Sequence, residues 1–188
     1  MNLRVALLIG VGLIQLTVPG WMIFRQEQML RLGKEYKFQT APVDPYDLFR
    51  GRYVALRFTA ESVKQKPGDT KFPSGTKVYV AVKTNEAGFA EVERVSPTPL
   101  EGDNVFLTTV RWKNDKNLSL VFPFNRYYME ESRAPQAEQA YREANRRNSE
   151  QETWATVRLR HGNAALADLF IDGQPIRNYL RDHPKPGK

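Results

Sequence analysis

The chain has 188 residues and no cysteine, which excludes disulfides, thiolate metal ligands and a cysteine nucleophile. Its 28 lysines and arginines outnumber 21 acidic residues, and aromatic side chains make up 11% of the sequence, too many for global disorder. The net charge of +7 is dispersed. Because no zinc, helix-turn-helix or RNP pattern accompanies it, we expect no nucleic-acid partner.

The N-terminal segment is uncharged and apolar from Val5 to Phe24. A helix of that length spans about 30 Å, the thickness of a bilayer's hydrocarbon core. Arg4 and Arg25 flank the segment, and Trp21 stands near its end, where interfacial aromatic residues occur. No small-x-small cleavage site follows, so an uncleaved anchor is favoured over a signal peptide. Residues 1–34 are therefore predicted to form a transmembrane helix and stalk that contacts membrane lipid through Val5 to Phe24.

Two interpretations of the anchor's orientation stay open. Arg25, Arg31, Lys34 and Lys37 follow the apolar segment, and a positive-inside count would keep the next domain in the cytoplasm. A very short charged tail before a first apolar segment is instead typical of a signal anchor, which exports the rest of the chain. We favour export.

The stretch from Asp44 to Phe58 reads DPYDLFRGRYVALRF and begins with signals for a capped turn. Asp44 suits the N-cap, Pro45 suits the first helical position, and Asp47 stands where a capping-box carboxylate reaches back. Gly51 supplies the backbone freedom that ends such a turn. This capping role accounts for both carboxylates without a bound cation.

A period-two pattern follows the turn and predicts a strand over residues 52–59. One face carries Val54, Leu56 and Phe58, which we expect to point inward, and the other carries Tyr53, Ala55 and Arg57. We expect Arg50 to find a carboxylate or carbonyl partner, with Glu130 and Glu131 as candidates.

Short alternating strands separated by Gly, Pro, Asn and Asp turns continue along the chain. With the motif strand, they are predicted at residues 35–42, 52–59, 77–84, 89–96, 104–113, 118–124, 153–160 and 164–171. The only helix predicted in this part covers residues 135–148, with an apolar stripe of Ala137, Ala140, Tyr141 and Ala144. We therefore predict a mostly β domain over residues 35–180, a small antiparallel barrel or sandwich with one inserted helix, and a flexible basic tail at 181–188.

Few groups suit catalysis or metal binding. His161 lies at a predicted hairpin tip and His183 in the tail, where neither is shielded. No paired-histidine, EF-hand, Walker or GxGxxG pattern is present, so we expect no metal site, no cofactor and no assigned catalytic residue. Ser62, with Lys64 or Lys66, keeps one alternative open, a hydrolase that uses a Ser–Lys pair.

The run GRYVALRF resembles the pattern that names the GDYXXLXY family of bacterial proteins. Gly51, Tyr53 and Leu56 match it, whereas Arg52 replaces the named Asp and Phe58 replaces the last Tyr. The preceding DPYDLFR, the apolar N-terminal segment and the run FNRYYMEE resemble the family more loosely. The resemblance implies a short, membrane-anchored protein whose gene often lies beside that of a polytopic membrane protein. It implies no activity.

The run FNRYYMEE has two interpretations, a structural tie to the motif or a recognition patch, and from the sequence we favour the structural tie. The residues taken as motif or interaction residues are Asp44, Pro45, Asp47, Arg50, Gly51, Tyr53, Leu56, Phe58, Arg126, Tyr128 and Glu131. We expect a non-enzymatic accessory or binding protein that partners a polytopic membrane protein. Its expected location is a bacterial inner membrane, which it crosses once, with the soluble domain on the periplasmic face.

Overall fold

The computed structural model of the protein describes residues 3–42, 53–64, 72–113, 117–146 and 149–183. The helices in these residues are α1 (Leu3–Leu32), α2 (Ala134–Ala144), α3 (Ile176–Asp182) and a short 3-10 helix (Thr59–Glu61). The strands are β1 (Lys34–Gln39), β2 (Tyr53–Ala55), β3 (Ser62–Lys64), β4 (Lys77–Thr84), β5 (Ala90–Ser96), β6 (Val105–Lys113), β7 (Asn117–Val121), β8 (Arg126–Tyr128), β9 (Thr153–Arg160), β10 (Asn163–Ile171) and β11 (Gln174–Pro175). The protein is mostly β, as the sequence predicts.

The described strands pair antiparallel in three sheets. Their orders are β1-β9-β10-β11, β2-β8 and β3-β7-β6-β4-β5. Isolated bridges join Thr40 to Phe58 and Phe106 to Gly162, so the sheets meet in a nearly closed, barrel-like arrangement. Of the two predicted architectures, the barrel is the better description.

Turn chemistry sets two hairpins, of which the sequence predicts the one between β9 and β10. The loop between β10 and β11 is Asp172-Gly173, and both residues have positive φ, at 48° and 77°. A two-residue hairpin loop of type I′ needs positive φ at both positions, which Asp and Gly tolerate. His161 and Gly162 form the same kind of loop between β9 and β10, with φ of 47° and 79°.

Aromatic side chains fill the centre of the barrel. Their ring centroids lie 5.1–6.4 Å apart, mostly tilted or edge-on, in the set Phe38, Phe58, Phe106, Phe122 and Phe124. Such arrangements add to the stabilisation that burial of the rings already provides. The rings come from the first strand, the motif segment, β6 and the residues after β7, so the core ties distant parts of the chain together.

Helix α2 confirms the predicted stripe and begins one residue earlier than expected. Ala137, Ala140, Tyr141 and Ala144 are buried. Arg142 pairs with Glu138 at 2.8 Å, as the i,i+4 spacing predicts.

The prediction of a single helix in this part of the chain is wrong. Helix α3 follows β11, and it buries Ile176 and Leu180. It runs to Asp182 and so crosses the predicted start of the tail at residue 181. It has no side-chain N-cap, which is why the usual start signal is missing from the sequence.

The motif strand is shorter than predicted. Of its described residues, only Tyr53–Ala55 is strand, and after Phe58 the chain turns through the 3-10 helix Thr59–Glu61. Three other short strands were not among those predicted, Ser62–Lys64, Arg126–Tyr128 and Gln174–Pro175. Strands of two or three residues carry too little alternation to be recognised locally.

Helix α1 is continuous over Leu3–Leu32 and contacts the domain through β9 and β10. It ends as predicted at Gly33, whose N–H donates to the Met29 carbonyl at 2.9 Å. Among the residues that the structure describes, no helix has both the length and the apolarity needed to cross a membrane. The helix itself is thus confirmed, and its passage through a bilayer stays a prediction.

Candidate functional site

The first part of the motif lies outside the described residues. This applies to Asp44, Pro45, Asp47, Arg50 and Gly51. The capping box and the partner of Arg50 therefore stay predictions.

The second part of the motif pairs directly with the run RYY. Strand β2 lies antiparallel to β8, with Tyr53 opposite Tyr128, Val54 opposite Tyr127 and Ala55 opposite Arg126. Residues directly opposite each other share a face of the sheet. The pairing therefore gathers Tyr53, Arg126 and Tyr128 on one side, although they lie far apart in the sequence.

These three side chains form one surface, which we call the tyrosine–arginine patch (Tyr53, Arg126 and Tyr128). The two tyrosine rings have centroids 5.6 Å apart, and the Arg126 guanidinium carbon lies 5.1 Å from the Tyr53 centroid. The second contact has cation–π geometry. Tyr128 is 62% exposed and Arg126 is exposed. The patch is therefore an ordered aromatic and cationic surface open to solvent.

The other face of the motif segment belongs to the core, as predicted. Val54, Leu56 and Phe58 are 0–3% exposed. Phe58 stacks on Phe122 with centroids 5.9 Å apart and ring planes 28° apart. A ring in that position contributes packing, so the phenylalanine that replaces the pattern's last tyrosine needs no polar partner.

On the other face of β8, a partly buried hydrogen bond secures the patch strand. Tyr127 donates from its hydroxyl to Asp168 Oδ1 at 2.8 Å. Burial, followed by the Asp168 carboxylate, raises the pKa of Tyr127 to about 12, against a smaller opposing effect of Arg177. Asp168 sits where the β9–β10 register shifts. The sequence reasoning missed Asp168, whose only local signal is a lone carboxylate inside an apolar strand.

A second polar network lies where β1, α2 and β9 meet. Thr40 and Thr153 hydroxyl oxygens are 2.6 Å apart, and Asn145 Nδ2 donates to the Tyr141 hydroxyl at 3.0 Å and to the Ala41 carbonyl at 2.8 Å. Thr153 also donates to Asn145 Oδ1 at 3.3 Å. Burial raises the pKa of Tyr141 to about 12. The network ties the end of α2 to the chain just before the motif.

Glu61 is the buried carboxyl closest to the motif, at 7% exposed. Burial is the main reason that its pKa rises from 4.5 to about 7, and the Phe122 amide, Arg111 and Arg57 act in the opposite direction. The Phe122 N–H donates to Glu61 Oε1 at 3.4 Å. Shifted carboxyl groups of this kind occur at functional sites and also in structural networks. No local pattern indicates that Glu61 is buried, because its burial depends on Phe122, which lies 61 residues later in the chain.

Two residues of the hydrolase alternative, Ser62 and Lys64, lie on β3, which begins directly after Glu61. Ser62 and Lys64 are exposed on β3 and line an open groove of about 410 Å³ with Lys83. Lys83 is engaged by Glu91 at 3.2 Å. Among the described residues no hydrogen bond joins Ser62 to a lysine, and Lys66 lies outside them. Among the described residues, Ser62 and Lys64 therefore do not form a nucleophile and base within hydrogen-bond reach.

Both histidines are at the surface. His161 Nδ1 lies 3.5 Å from Asp103 Oδ1, and His183 stacks on Tyr179 with centroids 4.4 Å apart. Within the described part of the chain no three His, Asp or Glu side chains come together in a way that could hold a metal ion.

The fold and the site define a small antiparallel β protein in which a tyrosine-bearing motif strand pairs with an RYY strand. The chain belongs to the GDYXXLXY family, because the family model described as GDYXXLXY protein matches residues 15–169. No curated protein and no solved structure matches the chain. The resemblance carried by Gly51, Tyr53 and Leu56 is therefore confirmed as a family relationship.

Proposed function

We propose that this protein is a membrane-anchored, non-enzymatic accessory protein that binds a polytopic membrane protein. The proposed anchor is supported by the exposed apolar surface of α1. From Val11 to Phe24 its apolar side chains are 51–72% exposed, and they are Val11, Leu13, Ile14, Leu16, Val18, Trp21, Met22, Ile23 and Phe24. These positions surround the helix. A helix that is apolar all round is stable only when lipid or protein covers every side.

The sequence extends this argument toward the N-terminus. The uncharged stretch begins at Val5, and the side chains of residues 5–10 lie outside the described set. The full span of Val5 to Phe24 is therefore argued from the sequence, which gives about 30 Å of helix. Its bacterial inner-membrane location and the periplasmic side of the domain are part of the proposal.

The tyrosine–arginine patch is the surface proposed to meet the partner. Tyr and Arg are the side chains that most often dominate binding energy at protein interfaces. Here the partner strand and the cation–π contact hold them in one geometry, which lowers the entropy lost on binding. The exposure of Tyr128 and Arg126 favours recognition over a purely structural role for the run RYY. The buried face of β2 keeps its structural role.

The anchor and its orientation are tested together by fractionation and a reporter. The full chain should stay in the membrane fraction after alkaline carbonate washing, which releases peripheral proteins. A reporter enzyme that is active only after export, fused after Lys188, should be active. A chain released by carbonate would contradict the anchor. Activity only from a cytoplasmic reporter would reverse the orientation and leave the anchor intact.

The patch is tested by co-purification after crosslinking in membranes. We expect Tyr128→Ala and Arg126→Ala to lower recovery of the membrane partner without changing the unfolding midpoint, because both side chains are exposed. Trp112→Ala and Arg94→Ala are the controls, since they remove an exposed aromatic side chain and an exposed arginine elsewhere. Undiminished recovery with both patch variants would contradict the assignment.

The hydrolase alternative makes a different prediction. A Ser–Lys enzyme would react with a serine-directed phosphonate probe at Ser62, and Ser62→Ala would abolish the labelling. We expect no labelling at Ser62, because the residue lies exposed on β3 with no lysine hydrogen-bonded to it among the described residues.

A further inference from the structure

A groove lies where helix α1 meets the tip of the β9–β10 hairpin. It has a volume of about 530 Å³. One wall comes from the end of the apolar segment and the stalk and includes Trp21, Phe24 and Arg25, and the other comes from the hairpin tip and includes Arg160 and His161. The groove thus brings the apolar side chains of Trp21 and Phe24 together with the arginines Arg25 and Arg160.

The two arginines of this groove, Arg25 and Arg160, differ from neighbouring arginines because they form no ion pair with a described acidic residue. Nearby, Arg31 pairs with Glu27 at 2.7 Å and Arg158 pairs with Glu35 at 2.5 Å. Among the described residues, neither Arg25 nor Arg160 has an acidic partner. Two guanidinium groups that line the same groove without an acidic partner in the described part of the chain leave a positive site that an anion would neutralise.

The hairpin tip is fixed in place by contacts outside the groove. The Leu107 N–H donates to the Gly162 carbonyl at 3.3 Å, and Phe106 forms a bridge with Gly162. His161 Nδ1 faces Asp103 at 3.5 Å, so the acidic group at this end is already engaged with His161. Arg160, the last residue of β9, therefore stands next to a loop that other contacts support.

The position of the groove along α1 indicates what the anion is. Trp21 and Phe24, 61% and 54% exposed, mark the end of the apolar segment, and Arg25 is the first charged residue after it. If α1 is the anchor, these residues lie at the level of the lipid head groups, where aromatic rings and arginines are enriched. A phospholipid offers an apolar chain to one part of the groove and a phosphate to the other.

We propose that this juxtamembrane groove binds an anionic phospholipid, with Arg25 and Arg160 holding the head-group phosphate. The proposal rests on the anchoring of α1 put forward above. It assigns the hairpin tip a role that the anchor alone does not need, which is to set the height and tilt of the domain on the membrane through a bound lipid.

The test measures lipid binding to the full chain in neutral-detergent micelles by native mass spectrometry. The probes are dioleoylphosphatidylglycerol, dioleoylphosphatidylcholine and inorganic phosphate. Phosphatidylglycerol should bind more tightly than phosphatidylcholine. Replacement of both arginines (Arg25→Gln with Arg160→Gln) should weaken phosphatidylglycerol binding about 30-fold, at about fivefold for each charge lost near the head groups.

Control variants distinguish a specific binding site from a general effect of positive charge. Arg94→Gln removes one exposed positive charge from β5 and should leave binding unchanged. Exchange of both groove arginines for lysine keeps the charge and should retain most of the binding. Equal losses in Arg94→Gln, or no loss in the double glutamine variant, would overturn the proposal. If half-buried Arg160 proves necessary for folding, Arg25→Gln alone should still weaken binding, because Arg25 is exposed on the stalk.

The remaining outcomes show whether the bound phosphate belongs to a lipid or to a soluble anion. They also show whether the groove proposal or the anchor proposal is wrong. Displacement of the lipid by millimolar inorganic phosphate would show a site for a soluble anion and overturn the lipid assignment. A double variant that stays in the carbonate-washed membrane and has lost lipid selectivity supports the groove. A parent chain that stays in the membrane without lipid selectivity overturns the groove alone, whereas release of the parent chain from the membrane overturns both proposals.

Discussion

Replacement of Glu61 by glutamine should change how stability depends on pH. Below pH 4.5 the carboxyl of Glu61 is protonated in both the folded and the unfolded chain. In the folded protein its pKa is about 7 instead of 4.5, so between these values the folded state holds a proton that the unfolded state has lost. Stability therefore falls as pH rises through this window and is lowest above pH 7.

The magnitude follows from the same pKa values. Raising the pKa from 4.5 to about 7 lowers the free energy of unfolding by about 3 kcal/mol above pH 7, relative to acidic pH. Glutamine has nearly the same shape, stays neutral, and its carbonyl can still accept from the Phe122 N–H. The stability gained in Glu61→Gln should therefore be about 3 kcal/mol larger at pH 8 than at pH 4.

The assay is urea-induced unfolding of the full chain in neutral-detergent micelles, followed by tryptophan fluorescence at several pH values. Glu93→Gln on β5 removes an exposed carboxylate of the same type and is the control, with no comparable pH-dependent gain expected. A difference between parent and Glu61→Gln that stays constant from pH 4 to pH 8 would refute the reasoning. It would mean that Arg57 and Arg111 compensate the buried charge fully.

Three further predictions concern the motif and its support, each measured by the same unfolding assay. Leu56→Ala should lower the free energy of unfolding by roughly 2–5 kcal/mol as a core truncation, and a cost below 1 kcal/mol would show that Leu56 is not packed as described. Tyr127→Phe should cost about 1 kcal/mol, because Asp168 loses one hydrogen bond and keeps the one from the Leu169 N–H at 2.8 Å; an unchanged midpoint would show that the Tyr127 bond contributes nothing. Asp44→Ala should cost about 1 kcal/mol as a lost cap, with Asp44→Asn as the control that keeps an acceptor, and equal losses in the two variants would argue against capping.

Alternation and turn chemistry were enough to locate much of the sheet. The predictions for residues 77–84 and 153–160 coincide with Lys77–Thr84 and Thr153–Arg160. Both strands are eight residues long, so period-two alternation has room to repeat. The Asp-Gly and His-Gly loops were also recognisable, because positive φ restricts which residues can stand there.

The sequence indicated which residues belong to the candidate site, but it did not indicate which of them are exposed. The types of residue in RYY and in the motif singled out Tyr53, Arg126 and Tyr128, and the structure joins them across β2 and β8. The choice between a structural tie and a recognition patch depended on whether Arg126 and Tyr128 are exposed. No local pattern in three-residue strands states which side chain faces solvent, so that evidence came from the folded chain.

The sequence by itself determined the family, the mostly β composition, the positions of the long strands and the apolar face of α2. Each of these depends on residues within one element or one turn. Only the tertiary structure decided that β2 pairs with β8, that Asp168 accepts from Tyr127, and that Glu61 is buried beside Phe122. These contacts join segments separated by tens of residues. The closure of the sheets sets them, because it selects which strands become neighbours, and no single segment encodes that choice.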